Sequence, residues 1–269
     1  MTPATDPRSA ADTSHAANGA PHGRPHAAGA HGTGGSAPRG VQSVKFSFYR
    51  LHDDVRTASP DERRALAETL RALLDESASR MLTRVYSTVG TRADTDFLVW
   101  QVHDDLEVIR EWHASLLRSP LAAALERPRS YLSMTMRSIY TNPLHEGAGA
   151  RDRLRADGGA NTYLFVYPMA KTRAWYRLSR EERQRMMDDH IAVGHRYHGI
   201  KINTTYSYGL DDQEFVVAFE GDDPGEFMAL VRELRDSEAS SYTLFDTPMF
   251  TCRRLAAEEL AAEIGLVAP

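Results

Sequence analysis

Cysteine is nearly missing from this chain: there is one, Cys252, in 269 residues. A single thiol excludes an internal disulfide framework and any paired-cysteine metal site, and it fits a reducing, cytoplasmic setting. Long apolar runs are missing too, and no stretch reaches the roughly 18 residues that a membrane-spanning helix requires. No apolar segment follows the first basic residue, so the N-terminus does not read as a secretory signal. Neither sign of charge prevails, with a formal net charge of −5, and no basic stripe marks a nucleic-acid partner. A glycine-rich phosphate loop and a nucleophile elbow are also lacking.

Residues 1–42 contain no aromatic residue and consist mainly of Ala, Gly, His, Pro, Ser and Thr. Such a segment cannot bury enough apolar surface to offset its ordering entropy, and it reads as a disordered tail. Its His15, His22, His26 and His31 could give weak metal binding. Their spacings match no structural metal site, so a low-complexity extension is the preferred reading.

From residue 43 onward a weak internal repeat is present. Asp96-Phe97-Leu98-Val99-Trp100 answers to Glu214-Phe215-Val216-Val217-Ala218, with Phe97 and Phe215 separated by 118 positions. The same offset carries Asp104-Asp105 onto Asp222-Asp223. Each copy then enters an amphipathic helix, with Leu106, Ile109, Leu116 and Leu117 in the first and Phe227, Leu230, Val231 and Leu234 in the second. Ser59-Pro60-Asp61-Glu62 and Ser179-Arg180-Glu181-Glu182 are capping boxes, and Asp223-Pro224 starts a third helix. β-rich runs lie between, at residues 45–51, 131–140, 163–167 and 250–254. Each half reads strand, helix, strand, strand, helix, strand, which is the ferredoxin-like unit. The predicted class is α+β: two tandem ferredoxin-like repeats, residues 43–150 and 151–269, joining their sheets into a dimeric-type α/β barrel. A ligand pocket is expected between the sheet and a helix of one half.

Candidate chemistry concentrates between residues 163 and 212. The helix opened by Ser179 places Met186, Met187 and His190 on one face. A histidine on an apolar stripe is either a satisfied core residue or an axial heme ligand, and His195 and His198 compete for the second role. A ligating histidine needs an acceptor for its other ring nitrogen, and Glu238, after the last amphipathic helix, is a candidate. Tyr167 lies at a strand end before Pro168, either as an aromatic core residue or facing a cofactor edge. Lys171, four residues on, is either a solvated cation or a charge-assisted partner for a carboxylate. Arg153 and Arg155 fall in a polar loop.

The run Tyr167-Pro-Met-Ala-Lys171 with Trp175-Tyr176 resembles a hallmark of the chlorite dismutase superfamily. So do Met186-Met187-Asp-Asp-His190, the stretch from Thr204 through Gly209 to Phe215, and Tyr242 through Thr251. The resemblance covers about residues 43–255 and leans toward the coproheme decarboxylases of that superfamily. It implies a heme-type iron porphyrin, with His190 as proximal iron ligand and Glu238 as its supporting partner. Tyr167 would carry the reaction. Lys171, Arg153 (fourteen residues before Tyr167) and Ser240 would hold propionates. His145 is the candidate distal base for hydrogen peroxide. Ring-shaped homo-oligomers, often pentamers, are a family habit.

Chlorite dismutases proper carry a distal arginine on the strand before the Gly-Leu-Asp-Asp turn. Here Lys201-Ile202-Asn203 stands in that region, without an arginine. The expected activity is therefore peroxide-dependent decarboxylation of two propionates of iron coproporphyrin III (coproheme) to give heme b. The alternatives are a heme b peroxidase or chlorite dismutase-like enzyme, and a porphyrin-binding module without catalysis.

Overall fold

The computed structural model describes residues 41–136, 138, 140, 154 and 161–268. Residues 1–40 of the low-complexity segment, with His145, Arg153 and Arg155, lie outside the described residues.

The elements run β1 (Ser43–Leu51), α1 (Asp53–Thr57), α2 (Pro60–Arg80), β2 (Leu82–Ser87), β3 (Phe97–His103), α3 (Leu106–Arg118), α4 (Leu121–Ala124) and β4 (Leu125–Met134). The second half continues with β5 (Tyr163–Lys171), α5 (Arg173–Arg177), α6 (Arg180–Gly194), β6 (Lys201–Tyr206), β7 (Phe215–Gly221) and α7 (Pro224–Arg235). A 3-10 turn (Glu238–Tyr242), β8 (Thr243–Phe245), β9 (Phe250–Leu255) and α8 (Ala257–Glu263) complete it. Both predicted capping boxes form, with Ser59 and Ser179 each accepting from the backbone N–H of the glutamate three residues on. Asp223 accepts from Gly225 N–H at the start of α7.

The strands lie in the order β7-β6-β4-β1-β3-β2-β9-β5-β8, and a further β5–β7 pairing closes the ring. The expected barrel is therefore present, and closure leaves few strand edges to protect. β2 pairs with β9 and β4 meets β6 at Met134 and Tyr206, so each half is stitched to the other. Alternation along the strands sorts side chains into two faces. Phe46, Phe48, Trp100, Leu164, Val166, Val216 and Phe250 fill the barrel interior. The outer face of the first half packs on α2, α3 and α8 through Tyr49, Leu74, Trp112 and Leu260. The outer face of the second half carries Phe165, Tyr167, Val217 and Phe219 against Ile200 and Leu230.

Three sequence expectations shift. The fourth strand runs over Leu125–Met134 rather than 131–140, because the Arg50–Glu126 and Phe48–Arg129 pairings accommodate a bulge in a polar run. Tyr167 is mid-strand rather than terminal. β5 continues through Pro168, which sits where β9 pairing has ended at Val166 and β8 pairing has not begun at Ala170, so its missing N–H costs no bond on that side. Lastly, α8 was not anticipated. Its Leu260, with Ile264 and Leu266 just beyond, is buried in the first half's core.

Candidate functional site

The candidate site lies between the outer face of the second-half sheet and α6. Strand register places Tyr167 beside Val217, and Val217 beside Thr204, in one row across β5, β7 and β6. Thr204 is exposed in that row, so the helix layer does not cover it. The matching capping boxes make α6 the counterpart of α2, yet the two pack differently. The 21 residues of α2 bury Ala67, Leu70, Leu73, Leu74 and Ser77, whereas the 15 residues of α6 bury only Met186. With so little apolar contact, α6 is held less firmly on the sheet than α2 is.

His190 is on the face of α6 turned to the start of the 3-10 turn. Its Nδ1 is 3.2 Å from Ser237 Oγ. The Ser237 hydroxyl donates its only proton to the Leu234 carbonyl at 2.6 Å. Toward His190 it can therefore only accept, which assigns the proton of the neutral ring to Nδ1. The lone pair is left on Nε2, which has no hydrogen-bond partner among the described residues. Burial, reinforced by the nearby Lys171 cation, pulls the His190 pKa down to about 4, so the ring is neutral near pH 7. A neutral, part-buried imidazole with a fixed tautomer is the donor that a heme iron requires.

The expected His190–Glu238 contact is not formed. Glu238 is exposed and its carboxylate accepts from Arg185 at 2.7 Å, so the position one residue earlier supplies the acceptor. The reason is the turn: its first residue, Glu238, points back along α6, while Ser237 caps the end of α7. No sequence spacing separates two adjacent residues on a turn of this kind.

Lys171 is buried at the end of β5 on the same face as Tyr167. Its Nζ donates to the Ala239 carbonyl at 2.7 Å, approaches Thr243 Oγ1 at 3.4 Å and lies 4.9 Å from the Trp175 ring centroid. Burial pulls its pKa down to about 8, and Glu214 opposes the fall, so the cation persists at neutral pH. Glu214 was missed at the sequence level. It accepts from the Lys171 backbone N–H at 2.8 Å and from the Tyr176 hydroxyl at 2.5 Å, fixing the corner where Lys171 leaves the sheet. Half-buried Ser240 sits in the same turn as Ala239, beside Lys171.

Tyr167 is 8% exposed, with its ring stacked 6.0 Å from Phe219. Burial pushes its pKa well above the usual tyrosine value and the Asp246 carboxylate adds to the rise, so the phenol is protonated at neutral pH. Arg235, which holds Asp246 at 2.7 Å, opposes that rise. The structure thus brings His190, Lys171 and Ser240 together around one turn, with Tyr167 on the adjoining sheet face. Arg153 and His145 are outside the described residues, although neighbouring Leu154 is anchored to the Gln42 side chain by two hydrogen bonds. The region expected to hold a distal arginine has Lys201 and Asn203 turned into the barrel toward Glu220, and Ile202 on the site face.

Among known proteins, the chlorite dismutase family model matches residues 63–255. A coproheme decarboxylase from Mycolicibacterium smegmatis is 29% identical over 237 residues, covering 82% of this chain and 99% of that protein. One from Thermus thermophilus is 32% identical over 220 residues, covering 79% and 86%. Among solved structures, a heme-binding protein from Thermus thermophilus matches with a TM-score of 0.73 at 29% identity, covering 83% of this chain and 95% of that one. A chlorite dismutase variant from Candidatus Nitrospira defluvii shares the fold with a TM-score of 0.76 at 18% identity, covering 85% and 97%. Barrel, half-repeat and matched segment agree, and the chain belongs to the chlorite dismutase family.

Proposed function

We propose that this protein is a coproheme decarboxylase: it takes iron coproporphyrin III and converts two of its propionates to vinyl groups, with hydrogen peroxide as oxidant. The observation that carries this reading is His190, neutral, with Nδ1 committed to Ser237 and Nε2 left with a lone pair on an underpacked helix. These residues fit an iron porphyrin: one nitrogen donor, an apolar sheet face beside a sparsely packed helix, and a buried cation next to it. The relatives of this name, at 29% and 32% identity over most of their length, support the same substrate class.

When bound, the iron porphyrin supplies the oxidising power, while the protein supplies orientation and electrostatics. His190 Nε2 holds the iron, and the Ser237 acceptor raises the donor strength of the ring. Lys171 meets a propionate carboxylate as a charge-assisted donor, with Ser240 adding a hydroxyl and Arg153 completing the grip. Tyr167 is the hydrogen-atom relay. As a protonated phenol it can release an electron and a proton together, and afterwards it can take a hydrogen atom from the propionate side chain. For each propionate the balance is one hydrogen peroxide consumed, one carbon dioxide and two waters formed, and a –CH2–CH2–COOH group turned into –CH=CH2. His145 is placed by this reading as the base toward peroxide. With Ile202 rather than an arginine on the site face of β6, nothing there would hold a chlorine oxyanion, which favours decarboxylation over chlorite decomposition.

The test is mass spectrometry of the porphyrin after the protein is mixed with iron coproporphyrin III and then peroxide. Two successive losses of carbon dioxide plus two hydrogens are expected. Tyr167→Phe should bind the substrate as tightly and give neither loss. Bound but unaltered coproheme with the native chain would reject the reading.

A further inference from the structure

The two halves differ most at one place that the decarboxylase reading does not use. Strand register makes the halves comparable residue by residue. Lys45, Ser47 and Tyr49 of β1 stand opposite Gln101, Val99 and Phe97 of β3. Phe165, Tyr167 and Met169 of β5 stand opposite Phe219, Val217 and Phe215 of β7. With β3 and β7 offset by 118 positions, Lys45 answers to Phe165 and Ser47 to Tyr167. The N-caps Asp105 and Asp223 set the same offset for the helices, so Ile109 answers to Phe227 and His113 to Val231.

In the second half this position is filled. Phe165 and Phe227 stack with centroids 4.0 Å apart and planes 5° from parallel, and Tyr167 packs alongside. In the first half, lysine, isoleucine and serine replace those three aromatic residues and leave a cavity of about 400 Å³ between α3, β1 and β4. That volume is at the small end of ligand pockets, which run roughly 300–1,000 Å³, so it suits a small molecule rather than a macrocycle.

The lining has a consistent chemistry. Tyr49, Ile109 and Leu132 give an apolar floor, while Lys45, Arg110 and Arg127 give three cations, with no Asp or Glu in the wall. The β1–β4 bulge breaks the alternation of β4: Arg129 pairs with Phe48 and shares the inner face with Tyr131, while Arg127 is turned to the outer face, close enough to act on Tyr49 and His113. Arg127 forms no ion pair among the described residues. Arg110 is held by Glu107 at 2.6 Å, and Lys45 Nζ rests on Ser130 Oγ at 3.0 Å. Two buried polar atoms remain unanswered. Ser47 Oγ, on a residue 4% exposed, is near the Tyr49 hydroxyl but outside hydrogen-bond geometry with any described group. His113 Nε2 is also buried without a partner, while Nδ1 faces the Tyr49 hydroxyl at 3.4 Å. The Tyr49 hydroxyl can donate to Nδ1, and the ring then carries its proton on Nε2 as a donor.

Unanswered buried polar groups are rare and call for a partner. We infer that this cavity binds a small organic carboxylate with an apolar body: the carboxylate pairs with Arg127 and accepts from His113 Nε2 or Ser47, and the body lies on Tyr49, Ile109 and Leu132. It is a second site on the chain, and it stands whether or not the decarboxylase reading does.

The experiment is calorimetric titration of the full chain with benzoate and with benzamide, its neutral isostere, first with the protein loaded with hemin to fill any second-half porphyrin site and then without hemin. Saturable binding of one benzoate per chain is expected in both states, with benzamide at least about tenfold weaker, as loss of a charge-assisted pair implies. Replacing exposed Arg127 (Arg127→Ala) should weaken benzoate by about tenfold or more without lowering the melting temperature. Ser47→Tyr installs the second-half residue and should abolish benzoate binding. Absence of saturable benzoate binding, equal affinity for benzamide, or indifference to Arg127→Ala would each overturn the assignment.

Discussion

His190 acquires its character from a neighbour that carries no charge. A hydroxyl whose proton is spent on Leu234 can only accept, so Ser237 selects the His190 tautomer as firmly as a carboxylate would. Loss of such a partner costs about 10- to 100-fold in metal affinity. Ser237→Ala should therefore weaken uptake of an iron porphyrin by that factor, while Glu238→Ala, whose carboxylate faces Arg185, should leave it within about twofold of native (~0.4 kcal/mol). The reverse order in an absorbance titration would restore Glu238 as the partner. A second residue-scale prediction concerns His113. Burial first, then Lys45 and Arg127, pull its pKa from 6.5 to about 4. Between those values the unfolded chain binds the proton that the folded chain refuses. The contribution to stability is whole above pH 6.5 and fades as pH falls toward 4, to a limit of about 3 kcal/mol. Denaturant midpoints of native protein and His113→Gln, compared from pH 7 to pH 4, should converge as the pH drops; parallel curves would refute the account. Tyr167, Lys171 and His190 stood out in the sequence as candidates because motif residues sit on regular elements. Ser237, Glu214 and the cationic cavity did not, since each depends on which of two adjacent turn or strand residues faces inward.

α2 and α6 begin with the same four-residue logic and end with different fates. Serine caps, acidic first turns and reciprocal glutamate bonds start both, and these were readable because capping is local. Beyond the first turn, tertiary contact decides how firmly each helix is held. Ala67, Leu70, Leu73 and Leu74 anchor α2, while α6 has only Met186 fully buried and half-buried Met187 and Val193 beside it. Helices hold mainly through the packing of one apolar face, so α6 belongs to the low-stability end of the molecule until a ligand packs against it. Hydrogen exchange should show α6 amides opening faster than those of α2 in porphyrin-free protein. Addition of iron coproporphyrin III should slow α6 exchange by at least about tenfold and leave α2 unchanged, a difference of some 1.4 kcal/mol in local opening. Equal protection of the two helices without porphyrin would mean that α6 is already packed.

Closing two repeats into one barrel buries a charge pair that neither half contains alone. Arg84, from β2, points inward at the Trp100 ring and bonds Glu220, from β7, at 2.7 Å; both side chains are at most 5% exposed. Asn203 donates to the other Glu220 oxygen at 2.8 Å, and Lys201 lies 3.6 Å from it. The pairing spans 136 positions, which is why no local pattern announced it, whereas the repeat itself was legible from Phe97 and Phe215. Taking both ions out of water offsets much of their attraction, so the pair adds little net stability over a well-packed apolar substitute. Breaking it is another matter. Glu220→Ala removes the buried carboxylate that Arg84 pairs with, and should cost about 3–5 kcal/mol. That is a large part of the roughly 5–15 kcal/mol that holds a typical domain together. Arg84→Met combined with Glu220→Leu removes both charges at similar volume and should recover most of that loss. A double-mutant cycle in denaturant measures it: a combined variant as unstable as the sum of its single changes would mean that the two side chains act independently, and that the barrel is held at this seam by strand pairing alone.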